Sequence, residues 1–499
     1  MKSFKYITMG LAMAGAMTFS SCGSDYLDTV PTADVSTTLI NQSLDNLYIA
    51  LNGIHRQQVS QKSGSQGYGG EPGFMVARDC SADDVTWLTN TWYKSANLNW
   101  QANASATNSN NERFWRIYYQ WIMNANYILQ GLETVEVGVG QEELYNQIKG
   151  EALVFRAYAH FKVAELYAGR YVLGGDNSGL GILYRTVETM TGELERSTIE
   201  QTYQNIMTDL NEGTTLLTGI KPNDVNHFTE AFCWGFKSRV ALAMQDFANA
   251  ATYAEKAIQL AEADGKKLME GDELMHGFSD ITTKTKEAIY AAMTQNDQTV
   301  YFYSFYANMS WNFSSTAIRQ GVKSINADTY DLMSGTDLRR QWWDPTGEMD
   351  VPATSFVKAP YQNRKFTARG MSDAVGDVAF MRLAELYLNA AEGYARSGND
   401  AKAQEIFTKF QVTRDPAYAG NGNTGAALAE EIMTSRRIEL WGEGFRYTDL
   451  KRLNLDLVRG RNFDIAFCGF LEKKAGEKGW IWEIPNTETN NNPLCKKNY

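Results

Sequence analysis

The sequence predicts a mainly α-helical protein in which repeated helix pairs scaffold a loop-rich, variable half. Three observations lead there. Apolar residues recur at helical spacing across residues 110–264 and 379–455. A helix–turn–helix pattern occurs once in each of those stretches. The segments 60–110 and 265–378 break the pattern with Gly, Ser, Asn and many aromatic residues.

The chain opens with Lys2 and Lys5, an apolar run over residues 7–19, then Ser20, Ser21 and Cys22. This is the order of a secretory signal. Its apolar run is shorter than the roughly 20 residues a spanning helix needs. Cysteine directly after small residues predicts a lipoprotein-type signal over residues 1–21, with Cys22 as the lipidated N-terminus. Residues 22–36 then read as a tether, and 37–499 as one folded domain.

Residues 44–59 read as the first helix, and residues 60–73, rich in Gly, Ser and Gln, as a loop. A second loop is predicted over residues 97–111. Phe114, Ile117, Tyr118, Trp121, Ile122 and Ala125 then mark one face of a helix, and Ala152, Phe155, Ala159, Val163 and Leu166 the face of the next. Further helices are predicted over 203–217, 230–244 and 249–263. Residues 241–250 (ALAMQDFANA) resemble 393–403 (GYARSGNDAKA). Both read as helix, tight turn, helix, with alanines where the two helices touch. That is the pattern of a tetratricopeptide-like repeat, here at irregular intervals. Residues 288–292 stand out as a short strand-like run in the later variable segment.

Removing residues 1–21 leaves 45 basic and 58 acidic residues, a formal charge of −13. Such a surface lacks the clustered cations that nucleic acid requires. It also disfavours broad contact with an anionic membrane, leaving the lipid as the membrane contact. The four remaining cysteines, Cys80, Cys233, Cys468 and Cys495, allow three full pairings among which sequence does not choose, with Cys233 placed as a buried thiol.

Catalytic patterns are weak. The four histidines, His55, His160, His227 and His276, show no metal-ligand spacing, and neither CxxC nor GxSxG occurs. Gly138-Val139-Gly140 lacks the third glycine of a dinucleotide loop, where Glu143 stands. Asp83-Asp84 is a carboxylate pair, but adjacent side chains point apart, so capping or calcium ligation suits it better than glycoside hydrolysis. Beyond that, no metal centre and no cofactor is expected. Arg382, Glu385 and Glu392 fall at spacings that share a helix face. Arg436, Arg437, Glu439, Glu443, Arg446, Asp449 and Arg452 crowd the helix that follows and its exit. Lying among Leu383, Leu386, Leu440 and Trp441, these charges predict a structural ion-pair network.

The aromatic clusters carry the functional expectation. Seven aromatics fall within residues 301–313, interleaved with small and polar residues, and Trp87, Trp92 and Trp100 form a second group beside Asn97, Asn99 and Gln101. The C–H face of a pyranose packs on a ring while amides take its hydroxyls. The expected ligand contacts are Trp92, Trp100, Tyr303 and Trp311, then Trp87 and Tyr301, with Asn97, Asn99 and Asn308 as hydroxyl partners.

Longer motifs point to a family. Cys22 is followed by Asp25-Tyr26-Leu27-Asp28 and Pro31. Trp115, Tyr118 and Asn124-Ala125-Asn126 lie on one helix, and Glu151-Ala152-Leu153-Val154-Phe155-Arg156-Ala157-Tyr158 with Phe161 on the next. Residues 380–392 (FMRLAELYLNAAE), Glu439-Leu440-Trp441-Gly442-Glu443-Gly444-Phe445-Arg446, Asp449-Leu450-Lys451-Arg452, Ile484-Pro485 and Asn492-Pro493 complete the set. With these motifs the chain resembles the SusD/RagB family of nutrient-binding lipoproteins over nearly its whole mature length. Gly169-Arg170-Tyr171 departs slightly from the family's tyrosine–glycine ending. The resemblance implies a SusD-like fold and a non-enzymatic protein, lipid-anchored in the outer membrane and facing the cell exterior. It further implies capture of a glycan and its delivery to a SusC-like TonB-dependent transporter, or capture of peptide on the same scaffold. The signature residues are implied to be scaffold rather than ligand contacts.

Overall fold

A computed structural model describes residues 43–60, 69–87, 95–294 and 304–499. Helix α1 (Leu44–Gln57) starts at Ser43, whose side chain accepts from the Asn46 amide. Its carboxyl end meets α2 (Gly70–Cys80), a helix in which every residue is buried. The predicted loop over 60–73 is thus overtaken from Gly70 onward. Gly70 has φ +69°, and a Cβ there would lie 2.0 Å from the Gln58 carbonyl oxygen, which accepts from the Glu71 amide. Only glycine fits, and Pro72 is tolerated because first-turn amides have no helical acceptor. Glycine and proline that read locally as a loop are here the entry to a buried helix.

The helices α3 (Ser109–Leu132), α4 (Glu142–Tyr167), α5 (Ile199–Leu216), α6 (Glu230–Ala243) and α7 (Phe247–Ala263) follow, each packed on the next. From Ile148 to Tyr167 nearly every side chain of α4 is buried, so this helix is hydrophobic all round and sits at the centre of the stack. The second series is α8 (Leu383–Arg396), α9 (Asp400–Gln411), α10 (Gly425–Glu439) and α11 (Arg446–Leu453), with α8 packed on α7. At that seam a Cβ on Gly393 would approach the Phe247 carbonyl oxygen and the Ala251 amide to 2.7 Å.

The two repeat turns have the same construction. The Asp246 amide donates to Ala241 and the Asn399 amide to Tyr394, each at 2.9 Å. Asp246 and Asn399 then cap α7 and α9. The turn residue is left-handed in both, Gly398 at φ 85° and Gln245 at φ 60°. Gln245 accepts this conformation while its side-chain amide donates to the carbonyls of Tyr171 and Arg452, tying the turn to both helical series.

The variable part carries a four-stranded antiparallel sheet in the order β1 (Val85–Trp87), β3 (Lys323–Ile325), β5 (Gln362–Asn363), β4 (Trp343–Asp344). The strand-like run at 288–292 is β2 (Ala288–Ala292), paired antiparallel with β6 (Val378–Arg382), which leads straight into α8. Arg382 therefore closes a strand and does not share a helix face with Glu385 and Glu392.

The predicted ion-pair network is real and larger than its sequence outline. Arg382 bridges Glu287, Glu439 and Glu443; Arg414 bridges Glu287 and Glu439; Arg339 bridges Asp337 and Glu439; Lys365 pairs with Glu443. Four cations meet four carboxylates in this buried hub, so their formal charges cancel within it. The Lys365 ammonium donates to Glu443 and to the Glu439 and Trp441 carbonyls, while burial lowers its pKa to about 8. Separate pairs tie Glu385 to Arg239, and Glu392 to Arg452, which continues through Asp449 to Arg436. Gly442 and Gly444, at φ 80° and 84°, turn the chain between α10 and α11. The Gly444 carbonyl accepts from Arg78 and its amide donates to Asp79, bolting α2 to the hub. Cys80, Cys233, Cys468 and Cys495 are all buried thiols.

Candidate functional site

The structure separates the predicted ligand contacts. Trp100 is only 4% exposed. Its backbone is left-handed at φ 61°, its Nε1 donates to the Ser81 carbonyl at 2.7 Å, and its ring packs edge-on against Tyr447, Phe470 and Trp480. Trp87 ends β1 opposite Lys323, whose Nζ lies 4.5 Å from the ring centroid. Both rings belong to the core and present no face to a sugar. Asn97 and Asn308 are buried as well. Asn97 Oδ1 accepts from Asn110, and Asn308 Nδ2 donates to the Ser304 carbonyl. Asn99 is half-buried, its Oδ1 taken by the Gln101 amide. Trp92, Tyr301, Tyr303 and Cys22 lie outside the described residues.

Trp311 is different. It is half-buried, with its amide donating to the Phe366 carbonyl and its Nε1 to Thr367 Oγ1 at 3.0 Å. The neighbouring Asn312 holds Ala368 through both its amide atoms. The indole is thus fixed by its polar edge. Among the described residues of the variable part, Trp311 and Tyr361 are the two aromatic side chains that are not buried. Sequence reasoning missed Tyr361. It has φ 62°, a strained conformation for a bulky residue. Tyr330 packs edge-on against its ring, and its hydroxyl accepts from Arg461, which also pairs with the exposed Asp331. No local pattern marks it, because its setting is assembled from three distant segments.

Asp83 and Asp84 neither cap a helix nor await calcium. Arg446 Nε donates to Asp83 at 2.7 Å, and Arg437 Nη2 to Asp84 at 2.6 Å. Both carboxylates are buried and spent on α10 and α11.

A second cluster was invisible in the sequence because its members are far apart. Glu151 on α4 lies between His55 on α1 and His227 before α6. His55 Nε2 is 2.8 Å from Glu151 Oε2, and His227 Nδ1 is 3.0 Å from Oε1. These ligand-type atoms all lie within 4.8 Å of one another. Burial opposes the Glu151 charge, but hydrogen bonds from His227 and His55 overcome it and hold its pKa at about 2. Burial also pushes the His55 pKa down, whereas Glu151 holds that of His227 up against burial.

Residues 25–242 match the SusD-like family model described as starch-binding associating with outer membrane, and residues 243–499 match the model of the SusD family. The chain belongs to the SusD family. Solved structures agree on the fold of this SusD-family protein. A SusD-like carbohydrate binding protein from Bacteroides vulgatus is 23% identical, with a TM-score of 0.78 over 91% of this chain and 97% of its own. A SusD superfamily protein from Bacteroides thetaiotaomicron is 20% identical, with a TM-score of 0.78 over 92% and 100%. Surface glycan-binding protein A from Bacteroides fluxus is 18% identical, with a TM-score of 0.69 over 90% and 97%. No curated protein matches the sequence.

Family membership places this protein, at family level, among glycan-binding proteins associated with the outer membrane. No helix among the described residues is long and apolar enough to cross a membrane. The SusD signature segments around Arg382, Glu439 and Glu443 are the hub itself, which gives those motifs a structural reason: they lock α8, α10 and β2 to one another.

Proposed function

We propose that this SusD-family protein captures oligo- or polysaccharide at the cell surface and delivers it to a SusC-like TonB-dependent transporter. In this reading it is tethered by lipid at Cys22 through residues 22–36 and performs no chemistry on the glycan. The observation that carries the proposal is the family match, which runs through both halves and whose model over residues 25–242 is described as starch-binding associating with outer membrane. The rigid, charge-neutral hub supports it, since a receptor needs a scaffold that holds surface loops without itself touching ligand. Trp311, fixed by its indole nitrogen, and Tyr361 supply the open rings; the segments bearing Trp92, Tyr301 and Tyr303 complete the proposed surface.

The test is a binding screen of the mature protein against immobilised polysaccharides, soluble oligosaccharides and peptides, followed by calorimetry on each hit. Saturable binding to one glycan class supports the proposal. Binding confined to peptides overturns it in favour of peptide capture. Delivery is tested by affinity isolation of the protein from solubilised outer membrane, with a co-isolated TonB-dependent transporter as the expected result.

A further inference from the structure

We propose that His55, Glu151 and His227 form a binding site for a divalent transition metal, Zn²⁺ by preference, with His55 Nε2, a Glu151 carboxylate oxygen and His227 Nδ1 as protein ligands. The inference stands on this cluster alone and does not rest on the glycan reading.

Two imidazoles and one carboxylate are a zinc donor set. Donors about 2 Å from a tetrahedral zinc sit roughly 3.3 Å apart. Here the carboxylate lies 2.8 Å from one imidazole nitrogen and 3.0 Å from the other, and all three donor atoms lie within 4.8 Å of one another. To admit the ion the carboxylate contacts lengthen by a few tenths of an ångström and the two imidazole nitrogens settle at the same spacing. The tautomer of His55 fits. The Tyr290 hydroxyl donates to Gln58 Oε1 at 2.7 Å, which leaves its oxygen to accept from His55 Nδ1 at 2.9 Å. Nε2 then faces the carboxylate at 2.8 Å, with a cation between the two atoms: the imidazole proton, or the metal that replaces it.

Each ligand also has an outer partner that orients it, as metal sites require. Tyr290 holds His55; the Phe228 amide and Gln147 hold the two Glu151 oxygens; Tyr48 stacks on His227 with an interplanar angle of 6°. The cluster is reached from one side, at His55. A cavity of about 200 Å³ is bordered by Asn52, His55, Gln58 and Asn226. The buried Gln58 Nε2 and Asn226 Oδ1 have no hydrogen-bond partner. Binding exchanges the protons held between imidazole and carboxylate for the metal and releases them to solvent.

The histidine inventory makes the test specific. Of the four histidines, His160 spends Nδ1 on the Arg156 carbonyl and Nε2 on the Arg185 amide, and His276 is exposed beside Asp272. A metal bound by two imidazoles therefore identifies this site. Untagged mature protein is stripped with chelator, then titrated with Zn²⁺ by calorimetry and with Co²⁺ by visible absorption. The expected result is one equivalent of Zn²⁺, four-coordinate Co²⁺ bands, and a zinc X-ray absorption spectrum with two imidazoles. His55→Gln and His227→Gln each weaken binding at least about tenfold, and His276→Gln leaves it unchanged. Absence of saturable binding overturns the proposal, as does binding lost only in His276→Gln. Should the core variants fail to fold, the wild-type absorption spectrum decides: fewer than two imidazoles overturns the assignment.

Discussion

Arg382 and Glu443, 61 residues apart in the chain, meet as a two-pronged ion pair, with Nε–Oε2 and Nη2–Oε1 both 2.8 Å. The same guanidinium also reaches Glu287 and Glu439, so its removal takes one cation from three buried carboxylates and leaves the hub with one uncompensated negative charge. Breaking a buried pair costs roughly 3–5 kcal/mol. Arg382→Ala is expected to lower the melting temperature strongly while leaving the glycan affinity of the folded fraction unchanged. Thermal unfolding and calorimetry on the same sample check this; a normal melt with lost binding would move Arg382 from scaffold to site.

The Asp79 carboxyl supplies a pH dependence. Burial pushes its pKa from 3.8 up to about 7, against the Gly444 amide that donates to it. Below pH 3.8 both folded and unfolded chains hold the proton. Between 3.8 and 7 the unfolded chain releases it while the native state keeps it, so stability falls as pH rises. Above 7 the native state carries a buried carboxylate, and the loss is complete, at most about 4 kcal/mol. Asp79→Asn keeps an acceptor for Gly444 and does not titrate. Its stability advantage over the parent is expected to grow between pH 5 and pH 8 in matched melts; a gap that stays constant would show that Asp79 does not titrate there.

Much of the scaffold was legible because helices advertise themselves locally. The apolar face from Phe114 to Ala125 and the matched turns at Gln245 and Gly398 need only neighbouring residues to be seen. The charged motifs also announced a network, though Arg339 enters it from a short 3-10 helix (Leu338–Trp342) and Lys365 and Arg414 from loops, none of which the spacing of the motifs marks. The site was far less legible. Trp100 looks like a surface ring beside asparagines, but its partners Phe470 and Trp480 lie far along the chain and its left-handed backbone turns it inward. Burial of one ring is a property of the whole fold, and so is the meeting of His55, Glu151 and His227.

Asp83 and Asp84 are expected to support stability rather than hydrolysis. Each is engaged by an arginine, and Thr329 also donates to Asp84. A bound glycan incubated with the protein for hours should keep its chain length, as chromatography will show, while Asp84→Asn lowers the melting temperature. Cleavage that disappears in the Asp83 or Asp84 variant would establish a glycosidase.

The anchor has a direct test. Cys22→Ala should move the mature protein from the membrane pellet to the soluble fraction, since lipid at that residue is the proposed bilayer attachment. A variant that stays in the pellet after a high-salt wash would refute lipidation at Cys22.

Trp311 and Trp100 make a matched pair of opposite expectation. Trp311 keeps part of its ring open and is held by one hydrogen bond to Thr367, so truncation removes little packing. If it is a platform for a sugar ring, Trp311→Ala costs about 2 kcal/mol of binding, near thirtyfold in affinity, with a small change in melting temperature. Trp100 is packed on three aromatic rings and satisfies the Ser81 carbonyl, so Trp100→Ala opens a cavity in the core at roughly 3–5 kcal/mol of stability. The folded fraction of that variant should bind glycan as the parent does, because its ring faces no solvent. Calorimetry with the glycan found in the screen, paired with a melting curve for each variant, separates the two roles. Parent-like affinity in Trp311→Ala would remove Trp311 from the binding surface and leave Tyr361 to be tested by the same measurement, since it is the other ring of the described variable part that the fold leaves open.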